Sequence, residues 1–275
     1  MADDFKTAQP LQFYKQFLKE NIRPDGRQLL EFRKTLLNIG AINTAVGSAL
    51  VRLGDTTVVC GIKAELAEPT LEQCGQGFFV PNVELPALCS PEFRPGPPSE
   101  KAQVLSQFVL DTVLNSELIS LEDLCIVNKK LCWVLYADMV CVSHDGNLID
   151  ALMTSLYAAL RNTKLPLVRI NEESGLTEVL DDEKHDLHLR NKPVSTTIAV
   201  LDETTLLADP TYEEEELSSS MITIVVGSDK QLCSVYKPGG CPVPESLLKS
   251  CMQTAFNRSE DINKLLSEVD ENIDR

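Results

Sequence analysis

Residues 148–162 constrain the fold of this chain more than any other stretch. Their spacing predicts a helix, and its apolar side chains point in nearly every direction rather than along one stripe. They are Ile149, Leu152, Met153, Leu156, Tyr157 and Leu160. A helix without a polar face must be covered on all sides. We therefore expect this helix in the middle of the molecule, entered through a turn at residues 144–147.

Strands are predicted on both sides of this helix. Residues 33–66 alternate with period two, and the dipeptide Gly54-Asp55 predicts a tight hairpin, so we expect three antiparallel strands there. Further strands are predicted at residues 78–83, 124–127, 130–142, 167–170, 194–200, 205–209, 221–226 and 232–237. Residues 130–142 are apolar on both faces except at Asp138, which predicts that helices or another subunit cover them.

Other helices are predicted at residues 11–21, after a cap at Ser99, and from residue 245 to the C-terminus. The helix after Ser99 carries an apolar stripe that we assign to the core. Its members are Val104, Leu105, Phe108, Val109, Thr112 and Val113. Residues 85–98, with five prolines, predict an extended surface loop, and the polar residues 181–190 predict a connecting segment.

The order of these elements predicts an α+β fold. Strands followed by a long helix occur twice, with residues 148–162 between the two sets, which indicates two related strand–helix halves packed as one domain. We expect this domain to span residues 1–275. Within it the N-terminal helix covers residues 11–21, the first half about residues 30–120 and the second half about residues 121–275.

Charge limits the functions open to this chain. The formal net charge is −16, which disfavours a free-standing nucleic-acid binder, because Lys and Arg supply most non-specific affinity for phosphates. Two possibilities remain. The chain does not touch nucleic acid, or it contributes a local basic patch to an assembly whose other members carry more positive charge.

Cysteine usage and apolar run lengths indicate an intracellular protein. The nine cysteines are scattered, form no C-x-x-C pair, and have no histidine at ligand spacing, so we expect small hydrophobic residues rather than a zinc site. No apolar run is long enough to span a membrane. Residues 1–6 lack the apolar core of a secretory signal.

An acidic stretch at residues 206–221 is the first candidate for a functional site. An apolar run delivers Asp209 and Tyr212 into residues 213–216, all glutamate. Carboxylates at the end of a strand suit a hard cation such as Mg²⁺ and phosphate chemistry. A solvated acidic turn is the alternative, since runs of like charge are usually exposed.

Several separated motifs resemble the RNase PH fold, which is similar to domain 2 of ribosomal protein S5, as it is used in the RNA exosome. They are Arg-Pro-Asp-Gly-Arg at residues 23–27, the hairpin at residues 47–58, Phe-Arg-Pro-Gly-Pro-Pro at residues 93–98, Asp-Pro-Thr-Tyr-Glu-Glu-Glu at residues 209–215 and Lys-Pro-Gly-Gly at residues 237–240. The motifs span nearly the whole chain, in order. Two of them resemble the branch of eukaryotic ring subunits that lacks catalytic residues.

This resemblance implies a catalytically inactive structural subunit of the exosome ring. Such a subunit pairs with another RNase PH-type chain in a hexameric ring, under S1/KH-type cap subunits, and lets RNA pass to separate nucleases. It supports rRNA maturation and the turnover of mRNA and non-coding RNA in the cytoplasm, nucleus and nucleolus. The resemblance implies no cofactor, no resident metal and no membrane partner.

The resemblance also identifies four positions as vestiges of a catalytic site. In active members a turn similar to D-G-G-T-R holds phosphate at a helix N-terminus, whereas this chain has Asn147 for the second glycine and Asp150 near the arginine position. The metal-binding carboxylates of active members correspond to Asp209 and Glu215 here. An aspartate beside a phosphate site repels phosphate, so we expect no catalysis.

RNA contacts are predicted only at Arg94 and Lys101, beside the proline-rich loop, and simple surface solubility is the alternative for both. Active relatives place phosphate-contacting arginines along the helix after Ser99, and this chain has none there. Arg23 and Arg27 are expected to brace a turn or an interface.

Two alternative functions stay open at this stage. The chain could be an active phosphate-dependent 3′–5′ exoribonuclease that uses Asp209 and Glu215, alone or across a dimer interface. It could also be an unrelated α+β interaction protein.

Overall fold

The computed structural model of the chain describes residue 6 and residues 8–70, 72–170, 177–202 and 205–273. The helices are α1 (Pro10–Leu18), α2 (Glu100–Asn115), α3 (Leu148–Arg161), α4 (Tyr212–Leu217) and α5 (Glu245–Ile273). The strands are β1 (Thr35–Ile39), β2 (Gly47–Leu53), β3 (Thr56–Ala67), β4 (Phe78–Glu84), β5 (Cys125–Val127), β6 (Leu131–Ser143), β7 (Lys164–Ile170), β8 (Thr177–Asp186), β9 (Val194–Val200), β10 (Leu206–Ala208), β11 (Ser220–Val226) and β12 (Leu232–Tyr236). The prediction about a secretory signal falls mainly on residues 1–5, outside the described residues.

The first sheet has the strand order β1-β2-β3-β6-β4, and β5 pairs with β6. The predicted antiparallel strands and hairpin are confirmed: β2 and β3 meet at Gly54, whose φ of +59° suits a tight turn. Strand β4 is parallel to β6, so it joins the sheet through a crossover that contains α2. Since β5 and β6 belong to this sheet, it continues past residue 120 to Ser143.

The second sheet is antiparallel, in the order β10-β9-β11-β12. A separate ribbon of β7 and β8 corrects one prediction: residues 181–190 were expected to be a polar connection, yet Thr177–Asp186 is a strand. Both strands of this ribbon are edge strands, and side chains such as His185 are exposed. A strand of this kind needs no alternation of apolar residues, so periodicity missed it.

Helix α3 lies between the two sheets, as its composition predicts. It packs against β2 and β3 on one side and against β9 on the other. Most of its side chains are fully buried, including Leu152, Met153 and Leu156. Burial on all sides explains why this helix has no polar face.

Helices α2 and α5 complete the layers. The Ser99 hydroxyl accepts a bond from the N–H of Ala102 at 3.2 Å, which confirms the predicted cap. The predicted core stripe of α2 holds except at Val104, which is exposed. Helix α5 covers the outer face of the second sheet, and its Ile262 and Leu266 pack into the hydrophobic core around helix α3. None of the helices in the described ranges combines the length and apolarity needed to cross a membrane.

Candidate functional site

Asp209 follows β10 directly and lies in the interior. Its φ is +50°, and its side chain is 0% exposed. Strand β10 pairs with β9 and so carries the chain to the N-terminal end of α3. There the carboxylate of Asp209 meets side chains from the N-terminal region and from the turn before α3.

Five hydrogen bonds converge on the Asp209 carboxylate. Oδ1 accepts from Arg33 Nη2 at 2.8 Å and from Asn147 Nδ2 at 2.6 Å. Oδ2 accepts from the backbone N–H of Arg33 at 2.8 Å, from Arg33 Nε at 2.9 Å and from Arg27 Nη1 at 3.3 Å. Burial alone would raise the pKa of Asp209, but the bonds from Arg33 hold it below its ordinary value. A carboxylate has about four lone-pair positions, so this one is saturated by protein donors.

Arg23 and Arg27 brace the same corner. Arg23 is 0% exposed, and its Nη2 donates to the carbonyl of Ala208 at 2.5 Å. Its Nε lies 3.6 Å from Glu214 Oε1 in a buried ion pair. These contacts tie residues 23–27 to the start of α4 and place the guanidinium groups on the protein's own oxygens.

Asp209 and Glu215 hold Asn147 from two sides instead of facing one shared point. The backbone N–H of Asn147 donates to Glu215 Oε1 at 2.6 Å, while its side-chain amide bonds Asp209. Burial raises the pKa of Glu215 to about 7. A helix N-terminus binds phosphate through free backbone N–H groups, and here a carboxylate occupies the N–H of Asn147. Within the described ranges, no three Asp, Glu, His or Cys side chains converge as they would around a metal ion.

Asp150 places a further carboxylate in the first turn of α3. It accepts bonds from the Thr197 N–H at 2.9 Å, the Thr197 hydroxyl at 3.0 Å and Asn147 Nδ2 at 2.9 Å. Burial raises its pKa. The neighbouring Gly146 has a φ of +73° and packs so closely that a Cβ would lie 2.4 Å from the Thr211 carbonyl carbon. The backbone of residues 210–212 therefore fills the space beside this turn.

The run of glutamates, for which the sequence suggests a metal site or a solvated acidic turn, forms helix α4. Thr211 and Glu214 form a capping box, in which the Thr211 N–H donates to Glu214 Oε2 at 2.9 Å. The side chain of Glu213 bonds the Tyr14 hydroxyl at 2.6 Å and pairs with Lys6 at 2.7 Å. The glutamates thus belong to a helix rather than to a turn, with Glu213 and Glu216 exposed and Glu214 buried. The spacing T-x-x-E is the sequence signal that could have predicted this helix.

A polar cleft of about 720 Å³ opens over the site. Its carboxylates come from the turn of residues 23–27, the proline-rich loop, the turn before α3 and α4. They are Asp25, Glu92, Asp145, Glu213 and Glu214. Each of them lies within 4.0 Å of a cationic side chain, in that order Arg27, Lys101, Arg33, Lys6 and Arg23. The cations beside this cleft are therefore already paired with the protein's own carboxylates.

Of the two predicted RNA contacts, Lys101 lies near enough to the Asp209 cluster for its charge to favour the ionised form of Glu215, and Arg94 lies on the proline-rich loop. Lys101 Nζ is 3.4 Å from His144 Nε2, 3.9 Å from Glu92 and 5.6 Å from the ring centre of Phe93. Burial, followed by the charge of Lys101, lowers the pKa of His144 to about 4. Arg94 is exposed on the proline-rich loop and borders a second cavity of about 420 Å³. Sequence reasoning missed Arg33, because a lone arginine before a strand carries no local signal of its partner.

Comparison with known proteins gives a consistent set of relatives. Residues 31–166 match domain 1 of the 3′ exoribonuclease family, and residues 191–258 match domain 2. Over 254 residues, 92% of this chain and 94% of the relative, the sequence is 42% identical to the exosome complex component rrp43 of Schizosaccharomyces pombe. It is 38% identical to the exosome complex component Rrp42 of Methanopyrus kandleri, over 88% of this chain and 90% of that protein.

Solved structures give the same result at the level of three-dimensional shape. A chain of the Archaeoglobus fulgidus exosome with RNA bound to the active site aligns with a TM-score of 0.82 and 33% identity, over 92% of this chain and 96% of that chain. A chain of an archaeal exosome core aligns with a TM-score of 0.80 and 29% identity, over 97% and 100% of the two chains.

Proposed function

Because this chain belongs to the 3′ exoribonuclease family and has the predicted α+β RNase PH fold, we propose that it is a catalytically inactive structural subunit of an RNA exosome ring. In that ring it supports 3′-to-5′ processing and degradation of RNA, including rRNA maturation and turnover of mRNA and non-coding RNA. It guides RNA to other subunits that carry nuclease activity. The exosome components among its relatives support the assignment to this assembly.

The saturation of Asp209 is the observation that carries the proposal of inactivity. Its two oxygens accept five bonds from Arg33, Arg27 and Asn147, so no lone pair remains for a metal. Glu215, the second vestigial carboxylate, bonds Asn147 instead. The residues present therefore do not fit the divalent cation that active relatives use.

The phosphate site is degraded in two ways. Glu215 takes the N–H of Asn147, and Asp150 adds a carboxyl group to the first turn of α3. Attack by inorganic phosphate needs a cation-rich cradle. Asp209, Glu215, Asn147 and Asp150 thus serve as a structural cluster in the place of a catalytic one.

The partners we propose are other RNase PH-type chains, S1/KH-type cap subunits and RNA passing through the ring, in the cytoplasm, nucleus and nucleolus. We assign the contact with a neighbouring subunit to the outer face of the first sheet, because the apolar side chains of Val80 and Val142 are 41% and 40% exposed there. Co-expression with RNase PH-type partner chains followed by native mass spectrometry tests this. We expect one copy per ring, and a chain that stays monomeric in every combination would refute the proposal.

We further propose that residues 1–275 act as one domain. Helix α3 packs on both sheets at once, and Val194 and Val225 of the second sheet join the main core. The halves should unfold in one cooperative step. Two resolved transitions in urea, followed by circular dichroism and by hydrogen exchange, would contradict this.

Arg94 is the better of the two proposed RNA contacts. Its side chain is exposed and makes no ion pair with the described residues, whereas Lys101 lies against His144, Glu92 and the Phe93 ring. A cation already beside a carboxylate has less charge to offer a phosphate.

A further inference from the structure

A small cavity of about 10 Å³ lies where β1, β2, α3, β9 and α5 meet. Both sheets, the central helix and the C-terminal helix all contribute to its lining. Its polar side chains are those of Thr35, Asp150, Thr154, Ser195 and Arg258. A cavity of about this size holds one water when two to four polar partners surround it, and a purely apolar cavity stays dry.

Ser195 brings an unsatisfied hydroxyl to this cavity. The residue is 3% exposed, and its Oγ has no hydrogen-bond partner among the described residues. A buried hydroxyl without a partner is costly, and native proteins usually satisfy such a group with an ordered water. The Ser195 hydroxyl therefore points to a ligand that can both donate and accept a hydrogen bond.

Asp150 and Arg258 place opposite charges on the same cavity. The described residues include no direct ion pair within 4.0 Å between them, and the Arg258 Nη2 donates instead to the Thr35 hydroxyl at 2.8 Å. A guanidinium has five N–H donors, so others remain for a further acceptor. Among the described residues, Oδ1 of Asp150 accepts one bond, from the Thr197 hydroxyl, and has capacity for another.

We propose that the cavity is the binding site of one ordered water molecule that accepts a bond from Arg258, donates one to Asp150 and bonds the Ser195 hydroxyl. This water joins a guanidinium of α5 to a carboxylate in the first turn of α3. It gives two buried, opposite charges a shared partner and satisfies the orphan hydroxyl. Arg258 thereby becomes a positioning residue for Asp150, linking the C-terminal helix to the degenerate turn.

This inference is independent of the proposed exosome role, since it rests on residues of this chain alone. A metal cation is disfavoured by the Arg258 charge, and an anion is disfavoured by Asp150. Water is the one small ligand that suits both charges and the hydroxyl at once.

A crystal structure of the full-length protein at a resolution that orders internal waters tests the proposal. We expect one density peak within hydrogen-bond distance of Ser195 Oγ, an Asp150 oxygen and an Arg258 nitrogen. A dry cavity, or a direct Arg258–Asp150 ion pair, would overturn the proposal. The experiment uses the wild-type protein, so it does not depend on the folding of a variant.

Magnetic relaxation dispersion of water nuclei gives a second readout in solution. Ser195→Val fills the site with an apolar side chain and should remove one long-lived internal water. The matched control is Ser155→Ala, because Ser155 is buried and its hydroxyl already bonds the Leu152 carbonyl at 2.9 Å. An unchanged number of long-lived waters in a folded Ser195→Val variant would count against the site.

Discussion

The guanidinium of Arg33 forms a two-pronged ion pair with the carboxylate of Asp209, with Nε 2.9 Å from Oδ2 and Nη2 2.8 Å from Oδ1. The two residues are 176 positions apart in sequence. Asp209 directly follows β10 of the second sheet, and Arg33 lies two residues before β1 of the first sheet. The pair thus joins the segment before the first sheet to the end of β10, which supports the proposal that Asp209 is a structural anion rather than a metal ligand.

Removing this pair should destabilise the protein strongly. Arg33→Ala leaves the fully buried Asp209 with only Arg27 and Asn147 as side-chain partners, and breaking a buried ion pair costs about 3–5 kcal/mol. The free energy of unfolding in urea measures the loss. Arg52→Ala is the control, because Arg52 pairs with Asp55 on the exposed surface and such pairs contribute little. Equal stability of the Arg33 and Arg52 variants would contradict a structural role for Asp209.

Gly146→Ala should be destabilising through backbone and steric strain together. The φ of +73° disfavours an L side chain, and the new Cβ would meet the Thr211 carbonyl carbon at 2.4 Å. We expect a loss of about 2–4 kcal/mol in the free energy of unfolding. The matched control is Gly75→Ala, where no atom lies within 4 Å of the added Cβ. A harmless Gly146→Ala would mean that residues 210–212 do not pack on this turn.

The titration of Glu215 should lower the free energy of unfolding as pH rises from the pKa of this group in the unfolded state to its pKa in the folded state. Its pKa is raised from 4.5 to about 7, because burial disfavours the charged form. Between these values the folded state binds the proton more tightly, so the free energy of unfolding decreases with increasing pH. Glu215→Gln keeps the acceptor for the Asn147 N–H and removes the charge.

The free energy of unfolding of Glu215→Gln, relative to that of the wild type, should therefore increase from about pH 4.5 to pH 7, by up to about 3 kcal/mol. Urea unfolding of both proteins across this range measures the difference. A constant difference at every pH would show that Glu215 does not titrate in this window.

Arg94→Ala should weaken RNA binding by the assembled ring and reduce its salt dependence. Each phosphate contact with single-stranded RNA contributes about 0.7 to the slope of log K against log salt. Filter binding or anisotropy with a labelled oligoribonucleotide at several salt concentrations gives this slope. Lys101→Ala is the comparison and should change the slope less, since Lys101 lies beside Glu92. Unchanged binding by the Arg94 variant would remove it as an RNA contact.

The sequence predicts elements whose signals are local. Residues 148–162 predict a buried helix because they are apolar on every side, and Gly54-Asp55 predicts a hairpin. The helix cap predicted at Ser99 is confirmed by the structure. Strand β8 was not predicted, because its ribbon needs no apolar face. Val104 was wrongly assigned to the core because a helical stripe inferred from sequence is wider than the face that the core covers.

The site depends on contacts that no local pattern contains. Motif similarity identifies Asp209, Glu215, Asn147 and Asp150 as one group, and the structure brings these four together. Arg33, which determines what Asp209 can bind, is distant in sequence and belongs to none of the motifs. Its role follows only from the fold, which brings the start of β1 beside the end of β10.

The most direct test of inactivity is a phosphorolysis assay on the purified chain, with an oligoribonucleotide, inorganic phosphate and Mg²⁺. An active member of the family is the positive control, and Asp209→Asn reports any contaminating nuclease. We predict no release of nucleoside diphosphate above the protein-free background at any Mg²⁺ concentration. Release of nucleoside diphosphate by the wild type that disappears in Asp209→Asn would contradict the account.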